Sequence, residues 1–190
     1  MHTLENKGNI IAAWLKSHEA ELIQTADYIF RHPELAYQET LSSKCLADLL
    51  EKNGFRISCK TAGINTAFTA EWGSGKPVIG FLAEYDALAE LGHACGHNLL
   101  GTGAAAAACA LKADMQASHT AGTIRVYGCP AEEIMSGKII MNSQGTFDDL
   151  DVAVTWHPFD SNRVSNDIWQ SQDIKNYIFH GVSAHASKSP

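Results

Sequence analysis

The chain has 190 residues, 45% hydrophobic and 18% charged, with a formal net charge of -7. That is enough apolar material for one sizeable core and the start of a second, and it excludes a disordered chain, which combines low hydrophobicity with high net charge. Scattered Lys and Arg residues on an acidic chain exclude a nucleic-acid partner, and the longest apolar run, 104–111, is mostly alanine and far short of the roughly 20 residues a membrane span needs.

The first residues, Met-His-Thr-Leu-Glu-Asn-Lys, carry neither a basic n-region nor an apolar h-region, so no secretory leader is expected. Over 5–31, Ile10, Ile11, Trp14, Leu15, Leu22, Ala26 and Ile29 recur at steps of three, four and seven and predict an amphipathic helix. Pro33 ends it, since proline disfavours helix in the residue before it. A second helix is expected over 39–52, where Leu41, Cys45, Leu46, Leu49 and Leu50 share one side and Asn53-Gly54 supplies a stop. Strands are expected at 55–59 and 67–72. The turn Gly73-Ser74-Gly75-Lys76-Pro77 follows, then a near-continuous apolar run to Ala83 suited to a central strand.

Residues 84–97 mix acids, glycine, histidine and cysteine, which suits a loop at a strand end. The alanine-rich stretch 98–118 predicts a helix despite Gly101 and Gly103. A strand at 123–129, a loop at 130–133, a short helix at 136–143, a strand at 152–156 and a loop at 157–162 follow. Alternating helices and strands indicate a layered α/β domain. Over 173–180 the pattern changes: Ile174, Asn176, Ile178 and His180 fall on one side and Lys175, Tyr177 and Phe179 on the other, as in a strand of a different, half-exposed sheet. The chain stops at Ser189-Pro190 without a closing element and reads as a truncated piece of a longer protein, with a first domain over 1–170 and the start of a second over 171–190.

Three sites follow directly after predicted strands: Glu84-Tyr85-Asp86 with Cys95-Gly96-His97, then Glu132-Glu133, then His157. In open α/β sheets ligand sites gather at the carboxyl ends of the strands. A thiolate, two imidazoles and several carboxylates suit a first-row divalent cation: zinc accepts all three donor types, while manganese prefers carboxylate and imidazole. Cys95 and His97 are two apart, so both can face one way on an extended segment. Of two adjacent glutamates, one can ligate while the other takes a proton from activated water. Asp86 can fix the tautomer of a ligating histidine.

Each of these residues also has a plainer reading. A buried free cysteine usually packs as a small hydrophobe, which is the reading for Cys45, Cys59 and Cys109. Paired glutamates are most often a solvated face, His157 before Pro158 can be an ordinary loop residue, and Glu84 and Asp86 can be turn carboxylates. Their coincidence at three strand ends favours the cation. Five cysteines without a CxxC indicate a reducing cytoplasm rather than a disulfide framework. Gly101-Thr102-Gly103 lacks the spacing of a phosphate-binding turn. His2, His18 and His119 lie on polar stretches, His32 precedes a helix-breaking proline, and His93 lines the loop of Cys95.

Five stretches carry a resemblance: His32-Pro33-Glu34-Leu35-Ala36, Ala83-Glu84-Tyr85-Asp86-Ala87-Leu88, Gly92-His93-Ala94-Cys95-Gly96-His97-Asn98, Pro130-Ala131-Glu132-Glu133 and Trp156-His157-Pro158. In order and spacing they resemble the aminoacylase/carboxypeptidase-type metallopeptidases, and within them the amidohydrolase branch of hippurate, auxin-conjugate and aminobenzoyl-glutamate hydrolases. The resemblance implies a three-layer α/β catalytic domain with a mixed, mostly parallel sheet, followed by the first strand of an α+β lid domain through which the parent dimerises or hetero-oligomerises. It implies one or two divalent ions, Mn²⁺ or Zn²⁺, held by Cys95, His97, Glu133 and His157. Glu132 is then the general base, Asp86 the support of the site, and His185, in Gly181-Val182-Ser183-Ala184-His185-Ala186, a contact to substrate or oxyanion.

The implied reaction is amide hydrolysis of an N-acyl amino acid, an aminobenzoyl-glutamate-like conjugate or a dipeptide. Glu84 stands where much of the branch has aspartate. The rest of the lid and a final histidine ligand lie beyond residue 190, so the 190 residues alone are expected to bind metal weakly, if at all, and to be inactive. Two other readings stay open: a hydrolase with Cys95 as nucleophile, and a non-catalytic metal-binding module.

Overall fold

A computed structural model describes residues 4–134 and 136–164, together with residues 175, 177, 178, 180, 181 and 187. Two compact units emerge, Met1–Phe159 and Asp160–Pro190. In the first, helices α1 (Leu4–Arg31) and α2 (Thr40–Lys52) lead into strands β1 (Arg56–Cys59), β2 (Phe68–Ser74) and β3 (Val78–Glu84). Helix α3 (His97–Ser118), strand β4 (Gly122–Cys129), helix α4 (Gly137–Ser143) and strand β5 (Val152–Val154) follow. In the second unit, the strand expected over 173–180 falls largely outside the described residues, and His185 wholly outside them. No helix among the described residues is long and apolar enough to cross a membrane.

The five strands form one mixed sheet in the order β1-β2-β4-β3-β5. The pairs β1–β2 and β2–β4 are antiparallel; β3–β4 and β3–β5 are parallel. Parallelism is therefore confined to β4, β3 and β5, whose carboxyl ends share one edge.

Alternation along the central strands explains why their sequences read as continuous apolar runs. Ile124 and Val126 of β4, with Phe81 and Ala83 of β3, face a core shared with Ile29 of α1, Leu46, Leu49 and Leu50 of α2, and Ala104, Ala105 and Ala108 of α3. Tyr127 and Cys129 of β4 face the opposite way, toward Met141 of α4 with Leu82, Phe147 and Leu150 around it. A sheet covered on both faces has no polar side to write into the sequence. Three helices on one face and one on the other make three layers.

The alanine run has a packing reason. Ala104, Ala105, Ala106, Ala108 and Ala110 are buried, so α3 lies close on its neighbours. The two glycines at its start serve the same end. A methyl group added at Gly101 would sit 2.5 Å from the carbonyl oxygen of Glu84 and 2.9 Å from Leu46 Cδ1; one at Gly103 would meet the Trp156 ring at 2.8 Å. Close approach at Gly101 carries the first turn of α3 up to the end of β3. Gly101→Ala gains about 1 kcal/mol in helix propensity but forces backbone apart at a typical cost of about 1–3 kcal/mol. Net destabilisation of up to about 2 kcal/mol is expected, read as a lower urea midpoint with an unchanged slope.

Candidate metal centre

Each candidate residue arrives at the shared edge by a short route. Glu84 is the last residue of β3 and Asp86 follows two positions on. His97 opens α3. Glu132 and Glu133 come directly after β4, and His157 after β5. Gly96, at φ +83, turns the chain sharply into α3 between Cys95 and His97, a conformation glycine adopts without a Cβ penalty.

His97 is fully buried. Its Nδ1 has two oxygen neighbours, the Asp86 backbone carbonyl and Asp86 Oδ1, each at 3.0 Å. Oxygens of that kind only accept, so Nδ1 carries the proton and Nε2 presents its lone pair. Nε2 is buried without a hydrogen-bond partner. Glu84 Oε2 lies 3.3 Å from it, outside hydrogen-bonding geometry, and Glu132 Oε2 and Glu133 Oε1 lie 3.9 Å away. Glu133 Oε1 is likewise buried without a partner.

His157 is exposed but oriented in the same way. Its Nδ1 is 2.8 Å from the carbonyl oxygen of Pro158, which leaves Nε2 to accept from the Cys95 thiol at 3.4 Å. The two imidazoles meet edge to face, ring centres 5.7 Å apart. Ligand-type atoms of Cys95, His97 and His157 all lie within 4.8 Å of one another; so do those of Glu84, His97 and Glu132. The two sets share His97.

Such an edge is short of positive charge. Burial alone pushes the Cys95 thiol up, and Glu133, Glu132 and Glu84 add to it, reaching about 12. Burial also raises Glu132, with Glu84 reinforcing it and Lys138 opposing. Burial lowers His97, but the Asp86 hydrogen bond and the surrounding carboxylates outweigh it and hold the imidazole above its ordinary value. All three shifts oppose adding negative charge at one point. A divalent cation there would relieve all of them, and two unsatisfied buried atoms, a sulfur and a second imidazole nitrogen already converge on it. The donor set of sulfur, nitrogen and oxygen fits zinc well and manganese less well.

Three residues here, Glu84, Lys138 and His93, were not among those singled out from sequence as ligands or catalysts. Glu84 is buried, with Oε1 2.6 Å from Lys138 Nζ on α4. Lys138 lies five residues beyond Glu133, with nothing in its spacing to tie it to Glu84. His93 is buried with neither ring nitrogen partnered; burial first, then the neighbouring His97, lowers its affinity for a proton. Among the other cysteines, Cys109 is buried and Cys45 half-buried, whereas Cys59 is exposed at the sheet edge rather than packed as a small hydrophobe.

No family model matches the chain. Individual relatives do. The chain is 43% identical over 182 residues to a p-aminobenzoyl-glutamate hydrolase polypeptide of Escherichia coli, covering 87% of this chain and 38% of that protein. It is 35% identical to Xaa-Arg dipeptidase of Mus musculus, over 85% of this chain and 40% of that one. Among solved structures, the YxeP protein of Bacillus subtilis, a dinuclear metal-binding peptidase from the M20 family, superposes with a TM-score of 0.63 at 25% identity, over 73% of this chain and 42% of that one. The chain thus spans about two fifths of the length of the curated relatives it matches. Over most of its length the chain is therefore similar, in sequence and in architecture, to relatives named as p-aminobenzoyl-glutamate hydrolase and Xaa-Arg dipeptidase and to a metal-binding peptidase of the M20 family.

Proposed function

We propose that the chain supplies the cation-binding part of an amide-bond hydrolase, with Cys95, His97, Glu133 and His157 as ligands. The observation that carries this reading is the paired orientation of two imidazoles. His97 and His157 each have Nδ1 beside an oxygen; Nε2 of His157 lies 3.4 Å from the Cys95 sulfur, and Nε2 of His97 lies 3.9 Å from a carboxylate oxygen of each of Glu132 and Glu133. A divalent cation held there supplies a Lewis acid that activates water and polarises a carbonyl.

The chain's own residues then divide the work. Asp86 keeps the His97 ring in its ligating tautomer through Oδ1, and with Oδ2 accepts from the Glu133 amide at 2.9 Å. Glu132 is part-exposed, while the neighbouring Glu133 is the more deeply set. That suits Glu132 to meet a water, remove its proton as it attacks an amide carbonyl, and return the proton to the leaving amine. The raised affinity of Glu132 for a proton brings it nearer to the working range of a base at neutral pH. Lys138 neutralises Glu84, which leaves Glu132 as the carboxylate free to exchange protons.

A nucleophilic Cys95 is disfavoured by its surroundings without a cation, since attack needs a thiolate and burial first, then the carboxylates around this sulfur, raise its affinity for the proton. The names of the relatives support an aminobenzoyl-glutamate-like conjugate, a dipeptide or, through hippurate, an N-acyl amino acid as the substrate class. In this reading residues 171–190 open a lid in which His185 contacts substrate. That lid also carries the parent's oligomer interface.

Two measurements test the reading. The purified 190-residue chain is expected to take up Co²⁺ or Zn²⁺ in a manner reversed by chelator and lost in His97→Ala, and to show no measurable amide hydrolysis across an acyl-amino-acid and dipeptide panel. Absence of chelator-reversible uptake in a chain that also carries the lid would remove the cation from the reading. In a chain that also carries the lid, Glu132→Gln is expected to keep its metal content and lose at least about 100-fold in kcat, the usual contribution of a positioned base. Undiminished turnover would leave a binding module or another base.

A further inference from the structure

The acids that face the cation site are held from behind by an acid that does not touch it. Glu39 directly precedes α2 and is fully buried. An acid at that position ordinarily caps its helix, but here the first amides of α2, at Leu41 and Ser42, are accepted by Glu34 instead. Glu39 points into the protein. Its Oε1 accepts from the Ala131 amide at 2.8 Å and its Oε2 from the Thr66 hydroxyl at 2.9 Å. The Thr66 carbonyl in turn accepts from the Tyr85 hydroxyl at 2.6 Å, and Tyr85 lies between Glu84 and Asp86 in the chain. One carboxylate thus ties the start of α2, the 60s loop and the loop after β4.

Ala131 is the point of leverage. It sits at φ +57, in the left-handed region that a residue with a Cβ adopts only when its surroundings hold it there. Two positions on, the Glu133 amide is held by Asp86. Alternate amides of one short loop are therefore clamped by two buried carboxylates from different elements, and the Glu132 and Glu133 side chains leave the loop toward His97. Burying a carboxylate is costly, and only charge-assisted hydrogen bonds of this kind offset it.

We propose that Glu39 is a positioning residue: through the Ala131 amide it sets the direction in which Glu132 and Glu133 leave the loop. The proposal rests on the reading of the edge as a cation centre, and its test separates the two. Glu39→Ala and Glu39→Gln are compared with the unaltered 190-residue chain in thermal melting, in Co²⁺ titration followed by thiolate-to-cobalt absorption, and in amide hydrogen exchange at 131–133.

Glu39→Ala is expected to keep the thiolate–cobalt band, because Cys95, His97 and His157 are untouched. Its Co²⁺ affinity is expected to fall about 10- to 100-fold, as for outer partners of metal ligands, and the Ala131 amide to exchange faster. Glu39→Gln, whose amide oxygen still accepts from Ala131, is expected to recover most of that affinity. A Glu39→Ala chain with unaltered Co²⁺ affinity and slow exchange at Ala131 overturns the proposal. Should Glu39→Ala fail to fold, Thr66→Val strips one of the two restraints on Glu39 and is expected to weaken Co²⁺ binding by a few-fold; unchanged binding there overturns it equally. Should the unaltered 190-residue chain take up no Co²⁺, the same titration in a chain that continues through the lid decides the cation reading, and exchange at Ala131 still decides the role of Glu39.

Discussion

Everything at the sheet edge depends on one hydrogen-bonded ring. Asp86 occupies the proton-bearing side of His97, from backbone and side chain alike, and so fixes which nitrogen is left over. That nitrogen is buried with no partner, and the nearest side-chain atoms are acids, a thiol and a second imidazole. An isolated unsatisfied nitrogen would be a cost of about 1–3 kcal/mol with no return. In the proposed ligand set it would be a binding group kept ready.

The sheet makes that convergence possible. Only where strands run parallel do several carboxyl ends come to the same side, and β4, β3 and β5 are the part of this mixed sheet that does so. The antiparallel part, β1 and β2, contributes none of the candidate ligands. It forms core instead, with Phe68 and Ala70 buried against the helices. Structure and chemistry are divided between the two halves of a single sheet. Lys138 is the exception that crosses layers, reaching from α4 to neutralise Glu84 and so lower the repulsion among the acids.

How much of this the amino-acid order displayed varies from residue to residue. Helices and strands over 4–154 were legible to within a residue or two, because a double-sided core writes apolar runs such as 78–83 and because α1 and α2 carry plain helical spacing. The strand ends that bear ligand-type side chains were visible for the same reason. Which atoms face one another was not. Glu84 looks the same in sequence whether it caps a turn or sits beside an imidazole, and its tie to Lys138 spans 54 positions. Glu39 reads as a helix-opening acid; only the fold shows that Glu34 has taken over the capping and turned Glu39 inward. Cys59 misled in the other direction: a strand position suggests burial, but β1 is an edge strand and leaves the sulfur in the open.

The small side chains along α3 carry one more implication. His97 rides on that helix, whereas Glu84, Glu133 and His157 ride on the sheet, so the gap between the two sets of donors is governed by how thick the layer of methyl groups between helix and sheet is. Ala104, Ala105 and Ala108 act as shims. Exchanging one of them for a bulkier residue, a full turn or more from any donor, would spread the donors apart without altering any of them. For the proposed centre, the spacing of the donors is in that sense recorded in the alanines as much as in the donors themselves.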